Sequence, residues 1–153
     1  MDNTKVIIKD SKKYGKAVFA DKNIFKGEVI AEFDGQIYNY DYLGWNQELE
    51  DHVIQFEERK WRDSNSIARW INHSCESNCG IKDMFKIVAM RDIKIGEEIT
   101  WDYEMTEKNL EWRMKCKCGK DNCRKENGNY ENMPLDVRNN YKGYISSWLT
   151  DGK

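Results

Sequence analysis

Three cysteines crowd into eight residues near the C-terminal end, in the run Cys116-Lys117-Cys118-Gly119-Lys120-Asp121-Asn122-Cys123. Thiols this close can converge on one tetrahedral zinc, and Gly119 permits the tight backbone path between them. Three local ligands leave a fourth to be found elsewhere. Cys75, Cys79, His73 and His52 are the candidates that the rest of the chain offers. The cysteine count of five is odd, and Met1–Asp10 carries no signal-peptide core, so a reducing, intracellular setting (cytoplasmic or nuclear) is the expectation. In that setting the cluster reads as metal ligands before disulfides. Export by a route without a signal peptide stays open.

Length and charge narrow the remaining classes. With 153 residues the chain suits one domain. A net charge of -2 argues against a general nucleic-acid binder, which needs a basic surplus. No apolar run reaches the ~20 residues that span a bilayer. Short β-type runs recur between turn residues: Val6–Ile8, Val18–Ala20, Glu28–Phe33, Gln36–Tyr38, Val53–Phe56, Lys86–Met90 and Glu98–Trp101. Asp34-Gly35 reads as a hairpin turn between two of them. Ile67–Ile71 reads as one helical turn. Thr106–Met114 reads as a short helix capped by Thr106, and Pro134 opens another through Tyr141. The expectation is a mainly β domain with short helices.

Two further clusters are unremarkable alone. Arg69-Trp70-Ile71-Asn72-His73-Ser74-Cys75 could be a turn with a satisfied histidine. Gly96-Glu97-Glu98-Ile99-Thr100-Trp101-Asp102-Tyr103 could be a strand ending in core aromatics. Their order decides more than their content. Asn72-His73-Ser74-Cys75, then the Gly96–Tyr103 run, then Cys-x-Cys-x4-Cys together resemble SET-domain methyltransferases with a post-SET zinc segment. Tyr14-Gly15-Lys16-Ala17 resembles the family's cofactor loop, and Glu32-Phe33-Asp34-Gly35 its next strand and turn.

The resemblance implies small β-sheets around a pseudoknot, a SET domain over 1–105, a zinc segment over 106–125 and a helical tail over 126–153 packed on it. It implies transfer of a methyl group from S-adenosylmethionine, leaving S-adenosylhomocysteine, to a lysine amine of a protein or peptide substrate. It assigns the structural zinc to Cys75, Cys116, Cys118 and Cys123. Cofactor contacts are implied at Tyr14, Gly15, Lys16, Ala17, Arg69, Asn72, His73 and Lys117, with His52 beside them. Tyr103 matches the catalytic tyrosine, and Trp101 with Tyr103 would line the lysine channel. A monomer is the default oligomeric state.

The sequence also departs from the pattern. Ala17 stands where a second glycine is common, Ser77 where a proline is, and Ser64-Asn65-Ser66 lacks a glycine. Trp101 replaces the usual phenylalanine or tyrosine, adding bulk while removing a phenol, so the methylation state does not follow. These departures keep a second function open, a catalytically silent peptide-binding module on the same fold. A zinc-stabilised nucleic-acid domain is the third, disfavoured by net charge.

Overall fold

The computed structural model describes residues 3–151. Its first element is a hairpin of β1 (Val6–Ser11) and β2 (Gly15–Ala20). The turn is tight, with Ser11 paired to Gly15, because Gly15 takes a φ of +82° that other residues resist. Ala17 needs no such freedom. It sits in β2 opposite Lys9, without a positive φ, and is fully buried.

A five-stranded sheet follows. Its strands are β3 (Val29–Glu32), β7 (Asn72–His73), β8 (Cys79–Lys82), β9 (Lys86–Ala89) and β10 (Thr100–Trp101), in the order β3-β9-β8-β10-β7. β10 lies parallel to both β7 and β8 and between them, with Trp101 opposite His73 on one side and Cys79 on the other. β7 and β8 are joined directly by residues 74–78, so that connection crosses over β10. This is the crossing that the family resemblance implied. Hydrogen bonds hold it: Ser74 N donates to Trp101 O (3.2 Å), and the Asn78 side chain bridges Glu98 O and Thr100 N. Ser77 does not loosen this loop, since its hydroxyl donates to Cys79 O at 3.1 Å.

A three-stranded sheet, β4 (Ile37–Asn39), β6 (Lys60–Arg62) and β5 (Ile54–Glu57), stands to one side, with helix α1 (Gln47–Glu50) between β4 and β5. Asp34-Gly35 is therefore not a hairpin turn. β3 pairs with β9, β4 pairs with β6, and the step is a corner between two sheets. Gly35 is required there because a Cβ would come within 2.9 Å of Asp63 O.

The core beneath the large sheet is aliphatic, with Ile30, Ile71, Ile81, Ile87, Ile99 and Met105 fully buried. Val29, by contrast, lies on the surface side of β3 and is exposed. β11 (Met114–Lys115) pairs with β12 (Glu126–Asn127) around the cysteine run. α2 (Leu135–Asn140) begins just after Pro134, and α3 (Ser147–Thr150) places Leu149 in the core. The segment from Tyr141 onward packs along β8: Ile81 N donates to Tyr144 O and Ser146 N to Met105 O.

Thr106–Met114 is not a helix. Thr106 instead closes a 3-10 turn over Tyr103–Met105. Its neighbours' backbone groups are engaged elsewhere: Thr106 O accepts from the Trp148 indole, Glu107 O from Tyr130 N, and Lys108 N donates to Gln55 Oε1. Tertiary partners outbid the local helix, as helix propensity alone allows.

Candidate functional site

The crossing brings the separate motifs together. Asn72 and His73 end the segment after a 3-10 turn at Ile67–Trp70, and Tyr103 emerges from beneath the 74–78 connection. Tyr103 N donates to His73 Nδ1 (3.0 Å), which leaves the proton of the neutral ring on Nε2. That nitrogen faces Cys75 Sγ at 3.5 Å. Burial, with Arg124 nearby, holds the His73 imidazole down at about 3, so it is neutral at physiological pH. His73 thus ties the tyrosine to a zinc ligand through one ring.

The Sγ atoms of Cys75, Cys116, Cys118 and Cys123 all lie within 4.8 Å of one another. Cys75 and Cys116 are 3.6 Å apart, near the ~3.8 Å edge of a tetrahedron with Zn–S of ~2.3 Å. Backbone N–H groups of Arg124 and Lys125 and the Asn127 amide aim at the sulfurs, as thiolates require. The four residues fit a structural zinc. Cys79 is excluded by its place in β8, fully buried against the core, and His52 by its position against Trp70.

The zinc segment is pinned to the domain at two points. Lys117 N donates to the Tyr14 hydroxyl (3.1 Å) and Lys13 Nζ to Cys118 O (3.2 Å). Between them opens a cavity of about 270 Å³ lined by Tyr14, His73, Glu98, Thr100 and Cys118 among others. Asn72 Nδ2 donates to Lys16 O at 3.0 Å, closing the first hairpin against β7. The Lys117 side chain is exposed.

A second, narrow cavity of about 30 Å³ lies beside Tyr103. Phe33, Trp101, Tyr103 and Trp112 surround it, with Trp101 and Tyr103 ring centroids 4.8 Å apart. The Tyr103 hydroxyl donates to Ile71 O at 2.7 Å, and burial keeps the phenol well above its ordinary pKa. Its proton is thereby committed to that carbonyl. The Trp101 indole N–H is buried and, among the described residues, has no hydrogen-bond partner. Arg69 and His52 line this narrow cavity rather than the larger one. Arg69 pairs with Asp63 at 3.3 Å and lies over Trp70, whose edge also meets His52.

The SET-domain family profile matches residues 15–104, more than half of the chain. The chain belongs to the SET-domain family. Relatives include histone-lysine N-methyltransferase 2B of Homo sapiens, 29% identical over 129 residues, 73% of this chain and 5% of that protein. The histone-lysine N-methyltransferase, H3 lysine-4 specific, of Saccharomyces cerevisiae is 44% identical over 66 residues, 38% of this chain and 6% of that protein. This SET-domain chain thus spans only a few per cent of those relatives' lengths. Among solved structures, KRYPTONITE in complex with mCHG DNA and SAH superposes with a TM-score of 0.64 at 25% identity, covering 79% of this chain and 28% of that one. No helix among the described residues is long and apolar enough to cross a membrane.

Several residues of the site left little trace in the sequence. Arg124 follows the last zinc cysteine and reaches Asp102 and Glu104, on either side of Tyr103. Only its adjacency to Cys123 was a signal. Glu107 is 9% exposed and lies between the narrow cavity and a neighbouring groove.

Burial raises the Glu107 carboxyl to about 7. The folded state then binds its proton more tightly than the unfolded chain does, so stability falls as pH rises from about 4.5 to 7. The expected loss is about 3 kcal/mol for a shift of that size. Urea unfolding of wild type against Glu107→Gln from acid to neutral pH checks this, because contributions of other groups cancel in the difference. A difference that does not grow with pH would contradict it.

Proposed function

We propose that this chain transfers a methyl group from S-adenosylmethionine to a lysine side chain of a protein substrate, in an intracellular setting. The observation that carries it is the aromatic channel ending at Tyr103, set beside a separate cavity closed by the zinc segment. The named histone-lysine methyltransferases among the relatives support the same chemistry, with a histone or other basic protein tail as substrate.

In this reading the larger cavity takes the cofactor, which supplies an electrophilic methyl on a sulfonium. Tyr14 and His73 line that cavity. Lys16 and Asn72, hydrogen-bonded to each other, and Lys117, whose N–H donates to Tyr14, stand next to those two residues, with Gly15 turning the hairpin and Ala17 buried behind it. Arg69 and His52 line the narrow channel instead. The ring walls of Phe33, Trp101, Tyr103 and Trp112 strip water from the incoming ammonium and lower its pKa, so a neutral amine reaches the site. Its proton leaves to solvent.

Tyr103 then orients. Its hydroxyl proton is held by Ile71 O, so its oxygen and that carbonyl present acceptor density to the amine and the polarised methyl group. A neutral phenol with a raised pKa is a poor base, which favours orientation over proton removal. The test is a protein array incubated with labelled S-adenosylmethionine. Wild type is expected to label basic proteins, and Tyr103→Phe to label them ~10²-fold less or weaker still. A chain that binds the cofactor yet labels nothing would be the silent peptide-binding module instead.

A further inference from the structure

We propose that the groove beside the channel mouth binds a second cationic side chain of the substrate, an arginine or lysine near the lysine being methylated. The inference rests on the methyltransferase reading and deepens it by naming what the substrate must carry.

The groove has a volume of about 460 Å³. Three tryptophans, Trp45, Trp61 and Trp112, and three glutamates, Glu50, Glu107 and Glu111, line it. Glu50, Val53, Glu107 and Trp112 also line the narrow cavity, so groove and channel are contiguous. An extended peptide advances ~3.3 Å per residue, so a side chain in the groove belongs within a few positions of the one in the channel. Indoles together with carboxylates favour a cation over any neutral or acidic group.

Glu107 is the residue that gives the groove its direction. It is 9% exposed, and among the described residues no lysine or arginine forms an ion pair with it. It accepts hydrogen bonds from Asn109 N (3.2 Å) and the Trp61 side chain. A glutamine would accept both without burying a charge. A carboxylate kept there at a cost in stability is explained by a counter-charge that arrives with the substrate. Arg113, the cation lining the groove, is engaged with Leu110 O and Trp112 O and stands 3.7 Å from Glu126.

The test uses synthetic peptides with a single lysine in a neutral serine and alanine background. One arginine is moved through each position up to about three residues on either side, within the reach of an extended chain. Rates are read with labelled S-adenosylmethionine. At least one placement is expected to raise kcat/KM by ~tenfold over the neutral peptide, and citrulline at that position to lose the gain. In Glu107→Gln the ratio of arginine to neutral peptide should fall to within about twofold of unity. Equal rates for all placements in wild type, with the neutral peptide methylated, would overturn the inference while leaving the methyltransferase reading intact. A full arginine preference surviving in Glu107→Gln would overturn it too. No transfer to any peptide would overturn the methyltransferase reading, and the inference with it.

Discussion

Replacing Arg124 with methionine is expected to lower the free energy of unfolding by about 3–5 kcal/mol, the cost of stranding one partner of a buried ion pair. A single nitrogen, Arg124 Nη2, reaches Asp102 Oδ2 at 2.7 Å, Asp102 Oδ1 at 2.9 Å and Glu104 Oε1 at 2.8 Å. Both carboxylates are fully buried. Burial works against the Arg124 charge, but Asp102 and Glu104 outweigh it and hold the guanidinium above its ordinary pKa. Burial also pushes the Asp102 carboxyl up, to about 6, even with Arg124 against it. Without the arginine, two adjacent carboxyls would have to bind protons or open the structure.

The loss should reach the chemistry, because Asp102 and Glu104 flank Tyr103 and Arg124 follows the zinc ligand Cys123. Denaturant unfolding and methyl transfer measured on the same samples check both effects. Arg124→Lys is expected to fall between, since one ammonium can replace the charge but holds three acceptors less well. An Arg124→Met chain as stable as wild type would contradict the pairing as drawn.

The second large effect concerns zinc. One zinc per chain is expected by elemental analysis, lost in Cys116→Ser and kept in Cys79→Ala. Structural zinc binding contributes ~10–16 kcal/mol in small domains, comparable with a whole domain's net stability of ~5–15 kcal/mol. Chelation should therefore release the segment around β11 and β12 and, through Lys117–Tyr14 and Lys13–Cys118, open the cofactor cavity. Titration with S-adenosylmethionine should show binding before chelation and none after. Retained binding in a zinc-free chain would separate the two sites that the geometry joins.

What the sequence made legible was the chemistry carried by spacing. Cys116, Cys118 and Cys123 announce a metal within one short run, and Asn72-His73, Trp101 and Tyr103 stand in a recognisable order. The short strands were readable because β-branched residues cluster in short runs between turns, as in Val29–Glu32 and Lys86–Ala89. What failed was local inference where distant partners decide. Thr106–Met114 has helix-forming residues, yet its backbone is bound to Gln55, Tyr130 and Trp148. Asp34-Gly35 has hairpin chemistry, yet its flanking strands pair with β9 and β6.

The groove was hidden for the same reason. Trp45, Trp61, Glu107 and Trp112 are scattered along the chain and meet only after the small sheet folds against the segment following Tyr103. The doubts raised by Ala17 and Ser77 dissolve in the structure, whereas Trp101 gains weight. Its ring walls the channel and, among the described residues, its N–H has no hydrogen-bond partner.

The most direct measurement is tandem mass spectrometry of a substrate after incubation with S-adenosylmethionine. The expected result is methylation on a lysine side-chain nitrogen with wild type, and its near absence with a Tyr103→Phe chain that still binds the cofactor. Methylation on another side chain, or equal lysine methylation by Tyr103→Phe, would contradict the account.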